Sequence, residues 1–226
     1  PEPRRHAIAV QAAPAREVLR DWDNENPLPY GPESVEPTLW VNNRAVVAPH
    51  SDIHDNIACV VAGGRRFTLF PPEAIRHMYL GPLLGAPGGV PVSAVALQQP
   101  DLDRYPAYAQ ALAAAQQATL SPGDALFIPA LWWHGVESLE AFNVLVNYWF
   151  GGTGRSALSP YDALSHALLA IAELPRDKRL RWREYFDHLV FRIEDEPGAH
   201  LPAGLQDPIT RPSDAQVREI LQQLVA

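Results

Sequence analysis

Cysteine is nearly missing from the 226-residue chain. Cys59 stands alone, so no intrachain disulfide can form. It lies in the apolar run IACVVAG, where a small buried thiol is the simplest reading. So low a count suits a reducing compartment, and the cytoplasm is the expected location. Positive charge is also short: 18 Lys and Arg stand against 26 Asp and Glu, a formal net charge of -8. Phosphate-backbone binding wants a basic face, so nucleic acid is not the expected partner. No run of about 18 apolar residues occurs, and no membrane-spanning helix is expected. The first residue is proline, not methionine, so a longer natural N-terminus is expected.

What the chain has in quantity is apolar residues, at 47%, and proline, at 23 residues. The prolines punctuate apolar runs, as in FPPEA, GPLLGAPGGVPV and LSPGDALFIPALWW. Short strands separated by turns follow from that pattern. Candidate strands are HAIAVQ, TLWVNN, NIACVVA, RFTLF, ALFIP and FNVLVNYWF, all rich in β-branched or aromatic residues. Helices are expected at about 73–79, 106–118, 160–173, 178–192 and 214–225. The last would be capped by Ser213 or Asp214 and carry the stripe Val217, Ile220, Leu221, Leu224. Strands thus fill most of 1–150, and helices dominate after 155. A mainly β fold is expected, a barrel or double-sheet jelly roll, with a helical C-terminal segment. The expected division is a β domain at 1–154 and a helical segment at 155–226.

The segment PHSDIHDN, residues 49–56, concentrates metal-binding side chains. Pro49 restricts Ala48 to extended conformations, so a helical His pair is disfavoured. In an extended chain His50 and Asp52 point the same way, and His54 shares their parity. A second stretch, LSPGDALFIPALWWHGVES at 120–138, places His134 after two tryptophans at a strand end. Two histidines and one carboxylate with open positions is the ligand set of non-heme Fe(II) oxygenases. The bland alternatives are an exposed turn at His54 and a hydrogen-bonded core imidazole at His134.

The runs APHSDIHDNIACVVAGGRRFTLFPP, LSPGDALFIPALWWHGVESL and NVLVNYWF, in that order and spacing, carry a resemblance over about residues 38–151. The chain resembles the cupin-like JmjC group of Fe(II)- and 2-oxoglutarate-dependent oxygenases, near the bacterial cupin-like proteins and the protein asparaginyl-hydroxylase branch. The resemblance implies a double-stranded β-helix with a metal at one mouth. It implies His50, Asp52 and His134 as the iron ligands, with His54 outside them. Asn56, Arg65, Asn147 and Trp149 fall where such enzymes line the 2-oxoglutarate pocket. The similar enzymes mostly use lysine for the far carboxylate of the cosubstrate; Arg65 would pair with it here, and Arg66 would point to the other strand face. The hydroxyl residue common three before the first histidine is replaced by Val47, and the tyrosine common between His and Asp by Ser51. Upstream, Tyr30 and Trp40 are candidate polar contacts.

The implied activity is hydroxylation of a C–H bond in an unknown protein or small-molecule substrate. Its rivals are a non-catalytic metal-containing binding module and a metal-dependent isomerase or hydrolase of the wider cupin class. The stretch GPLLGAPGGVPVSAVALQQPDLDRYPAY is expected to be a substrate loop or a structural cover. A homodimer is expected through the C-terminal helices. One carries Leu164, Ala167, Leu168 and Ile171; the other carries Trp182, Tyr185, Phe186 and Leu189.

Overall fold

The computed structural model describes residues 6–28, 35–82, 86, 89–152, 159–194, 196–202 and 212–224; Tyr30 and the side chain of Leu224 lie outside them. The chain divides into two compact units, 1–152 and 153–226.

Among its described residues the first unit holds nine strands: β1 (Ala9–Pro14), β2 (Pro37–Asn42), β3 (Ala45–Ser51), β4 (Asp55–Ala62), β5 (Arg65–Phe70), β6 (Gln116–Leu120), β7 (Ala125–Ile128), β8 (Trp133–Ser138) and β9 (Asn143–Phe150). They form a five-stranded sheet, order β1-β2-β9-β4-β7, and a four-stranded sheet, order β3-β8-β5-β6. All the pairings are antiparallel. The chain changes sheet at each of six short links, β2 to β3, β3 to β4, β4 to β5, β6 to β7, β7 to β8 and β8 to β9. That is the winding of a jelly roll. Between the sheets lies a core of Ala58, Val60, Phe67, Leu69, Leu120, Ile128, Val136 and Leu145, drawn from both.

Each sheet also has a covered outer face. Outside the larger one, Ala15 of the short helix α1 (Ala15–Val18) and Trp22 of α2 (Trp22–Glu25) pack on Leu39, Val146 and Tyr148. Cys59 packs there too, and burial pushes its thiol up, away from thiolate reactivity. Outside the smaller sheet, the segment after β5 folds into a cover. A 3₁₀ turn at Pro72–His77 and the helix α3 (Tyr108–Ala113) bring Ala74, Met78, Val95, Tyr108 and Ala111 onto Phe70 and Trp133. The described part of the expected loop or cover is therefore a cover. It also extends the sheet: Val92 bridges His50, and the Ser93 amide donates to the Pro49 carbonyl at 2.8 Å. The edge of β3 is thereby closed beside a candidate ligand.

Three strands were not among those expected from the sequence: β3, β6 and β8. The helix expected over 106–118 ends at Ala113, and Gln116–Ala118 belong to β6. The Ala-rich run favours helix, but its QQATL tail pairs with the exposed edge of β5, and pairing outweighs local propensity. In β8, Gly135 and Glu137 dilute the strand signal.

The second unit contains α4 (Pro160–Ile171), α5 (Arg176–Phe186) and α6 (Asp214–Leu224). The Ser159 hydroxyl accepts from the Tyr161 amide and caps α4, with Pro160 at the first helical position. At α6 the cap is Ser213: its hydroxyl accepts from the Gln216 backbone amide, and the Gln216 side-chain Oε1 accepts from the Ser213 backbone amide at 2.7 Å. α5 continues into a π turn at Asp187–Phe191. No helix among the described residues is long and apolar enough to cross a membrane.

Candidate metal centre

His50 reaches the barrel interior through a break in alternation. On β8, Val136 and His134 face inward with the core, while Trp133 faces the outer cover. β3 pairs Val47 with Val136 and His50 with His134, so three steps on β3 match two on β8. This bulge turns both Val47 and His50 inward; strict alternation would send one of them outside. The imidazole centroids of His50 and His134 come to lie 4.2 Å apart.

Asp52 follows β3 in the loop before β4, with its Oδ2 3.7 Å from His134 Nε2. One candidate ligand atom from each of His50, Asp52 and His134 lies within 4.8 Å of the others. Each imidazole is oriented by a carbonyl two residues upstream. His50 Nδ1 is 2.9 Å from the Ala48 oxygen, and His134 Nδ1 is 3.1 Å from the Trp132 oxygen. A carbonyl only accepts, so Nδ1 carries the proton and each Nε2 keeps its lone pair for a metal. Burial, then the nearby His50, push the His134 pKa down to about 4, against the pull of Asp52. His134 is a neutral imidazole at neutral pH, as a metal ligand must be. His54 lies apart: it packs on Gly152, where an added Cβ would meet His54 Cδ2 at 2.6 Å.

Deeper in the barrel lies Arg65, only 4% exposed. It pairs with Ser138, four residues along β8 from His134, a span of about 13 Å at strand spacing. Its Nη2 donates to Asn42 Oδ1 at 2.8 Å, and its Nε has no partner. Among the described residues no carboxylate pairs with it. Desolvation lowers its pKa to about 10. Arg66 takes the opposite face and meets Glu137 at 3.4 Å.

The other expected pocket residues cluster on β4 and β9. Asn56 pairs with Trp149, and Ala58 with Asn147. Asn56 Oδ1 and Trp149 Nε1 are buried without partners. Asn147 Oδ1 accepts from Trp40 Nε1 at 2.7 Å, so the Trp40 indole is committed to Asn147. Trp40 stands edge-on to Trp149, with centroids 5.9 Å apart. Sequence reasoning missed Asn42 and Ser138, which bond each other at 2.8 Å beside Arg65. Asn42 shares the parity of Trp40 on β2, a usable signal once the register is known.

His50, Asp52 and His134 form a candidate metal site, and in the same unit polar atoms of Asn56, Arg65 and Trp149 are buried without partners. Residues 1–155 match the family model described as Cupin-like domain. The chain is 39% identical over 113 residues to lysine-specific demethylase JMJ31 of Arabidopsis thaliana, covering 50% of this chain and 20% of that protein. It is 35% identical over 162 residues to tRNA wybutosine-synthesizing protein 5 of Mus musculus, covering 65% and 47%. It is 36% identical over 154 residues to HSPB1-associated protein 1 of Homo sapiens, covering 66% and 31%. The matched region spans less than half the length of each of these relatives.

Proposed function

The chain belongs to the cupin-like family, and from that premise we propose that it is an Fe(II)- and 2-oxoglutarate-dependent dioxygenase that hydroxylates a C–H bond of a protein side chain or small molecule. The strongest support is Arg65, a buried guanidinium without a carboxylate partner among the described residues, in the same barrel as a His-Asp-His triad. A buried unpaired cation is costly and calls for an anion. The span from His134 to Arg65 suits a five-carbon diacid bridged to an arginine side chain.

His50, Asp52 and His134 would hold the metal, and Asn56, Arg65, Asn147 and Trp149 would line the cosubstrate pocket. When bound, the metal and 2-oxoglutarate supply oxygen activation: one oxygen atom enters the substrate as hydroxyl, and the cosubstrate leaves as succinate and CO2. The chain's own part is positional. The Nδ1–H bonds to Ala48 and Trp132 hold both imidazoles in one tautomer and orientation. Arg65 neutralises the far carboxylate in a partly dry setting, where a charge-assisted pair is strong. The Trp40–Trp149 pair walls the interior against water.

The test is calorimetry with Mn(II) as a redox-inert metal, followed by 2-oxoglutarate. Breaking a desolvated charge pair costs about 2–5 kcal/mol, so Arg65→Ala should weaken 2-oxoglutarate binding roughly 30-fold or more. Metal affinity should stay unchanged, and Arg66→Ala should bind both normally. Unchanged 2-oxoglutarate binding in Arg65→Ala would remove the cosubstrate assignment and favour the binding module.

We propose in addition that the C-terminal helices join two copies of the chain. α4 and α5 bury none of their residues, although Leu164, Leu168, Trp182 and Tyr185 are large and apolar. Helices of 12 and 11 residues are marginal without a packing surface, and a second copy offers matching ones. Light scattering at micromolar concentration should give twice the chain mass; a monomer would refute it.

A further inference from the structure

The short loop Ile53–His54 between the second candidate ligand and β4 is gripped at both ends, at Asp52 before it and at Asp55, the first residue of β4, after it. The Leu131 amide donates to the Asp52 carbonyl at 2.7 Å. The preceding amide, of Ala130, donates to Asp55 Oδ1 at 2.8 Å, although the two residues are 75 apart in sequence. In extended chain, successive amides point to opposite sides; a turn with a left-handed residue aims them together as a small anion-receiving nest. Leu131 has φ +63°, a region that leucine seldom adopts. Its side chain is 48% exposed, so burial of the leucine does not hold it in that conformation. The same connection delivers His134 three residues later, and its Trp132 carbonyl accepts from that imidazole. On the other side, Gly151 and Gly152 leave room for the loop: an added Cβ at Gly152 would meet the Ile53 oxygen at 2.6 Å, and one at Gly151 would lie 3.6 Å from Asp55 Oδ2.

We propose that Asp55 is a positioning residue for the metal centre. Its carboxylate, with the strained Leu131 amide, ties the backbone of Asp52 to the connection that carries His134. Ligands from two different stretches of chain are thereby set at binding distance before the metal arrives. This rests on the triad being the metal site. It gives Asp55, one of the two acidic residues in the PHSDIHDN segment, a task distinct from that of Asp52: it accepts an amide and does not touch the metal.

The experiment measures Co(II) affinity and the Co(II) visible spectrum in the full chain, with circular dichroism of the metal-free form. Asp55→Ala should weaken Co(II) binding about 10–100-fold, the usual effect of losing an outer partner of a metal ligand, and alter the spectrum. Asp55→Asn keeps an acceptor oxygen and should restore wild-type affinity within a few-fold. Asp55→Glu keeps the charge but displaces the acceptor, and should bind as poorly as alanine. Leu131→Gly keeps the amide and relieves the backbone, so it should leave affinity intact and not lower the melting temperature. Wild-type binding and spectrum in both Asp55→Ala and Asp55→Glu would overturn the proposal. So would a rescue by glutamate and not by asparagine, which would make charge the cause. If Asp55→Ala does not fold, the asparagine and glutamate pair decides alone. Asp52→Ala is the control: undiminished Co(II) binding there would remove the metal centre itself, whatever Asp55 does.

Discussion

The two faces of the smaller sheet are built from alternate residues of the same strands and serve opposite ends. Outward, Phe70, Trp133, Met78 and Val95 close into a dry layer under the cover segment. Inward, His50, His134, Arg65 and Ser138 line a space in which buried polar atoms lack partners. His134 and Trp133 are neighbours in sequence, and so are Arg65 and Arg66. The difference teaches that stability sits on the outside of this sheet and unmet binding capacity on the inside. A jelly roll with only its inner core could not carry that many uncompensated groups; the covers offset them.

The contrast breaks most visibly at Trp133, which is 1% exposed. Trp133→Ala should cost about 3–5 kcal/mol, read as a fall in the denaturation midpoint at unchanged slope. Next comes acid. The unfolded chain protonates His134 near the ordinary value of 6.5, whereas the folded chain resists until about 4. The metal-free protein therefore has this contribution in full above pH 6.5 and loses it as pH falls toward 4. The loss is on the order of 2–3 kcal/mol. Urea melts at pH 7.5 and 5 should show it, and His134→Phe should flatten the dependence. Third, Arg65→Met should raise the stability of the ligand-free protein by roughly 1–3 kcal/mol, because an unpaired buried cation gives way to an apolar chain. Under the proposed function it should also abolish the stabilisation expected from adding 2-oxoglutarate to the Mn(II)-loaded protein; thermal melts report both. The smallest effect tests the outer face. The Tyr108 hydroxyl is buried without a partner, and burial pushes its pKa up to about 12. Tyr108→Phe should stabilise by about 1 kcal/mol, with 2-oxoglutarate binding unchanged.

Much of the fold was legible because alternation survives in the long strands. NIACVVA and FNVLVNYWF announce β4 and β9, and His50, Asp52 and His134 stand out by residue type. β8 was hidden because its outward positions include a glycine and a glutamate whose partners, Leu97 and Gln98, come from the cover. β6 was hidden because its tail is polar and its pairing distant. In the site, Asn42 could not be chosen without knowing that it faces Arg65 across the sheets. The grip of Ala130 and Leu131 on the ligand loop is made by backbone amides, which leave no mark in side-chain identity. Arginine at position 65 also agrees with the chain's habits: Lys178 is its sole lysine among 18 cationic residues.

The bulge between Val47 and His50 makes backbone register itself part of the candidate metal centre. Deleting one residue from Ala48–Pro49 would remove the bulge: two steps on β3 would then match two on β8, and the residue now numbered 50 would stay inward. Keeping the present length but pairing the two strands without the bulge would do the opposite. All three candidate ligand types would still be present in the sequence, in the same order, yet the first histidine would face the layer held by Trp133 instead of the barrel. A one-residue gap at this point is thus compatible with the site, and the histidine read without its register would be a misleading signature of function.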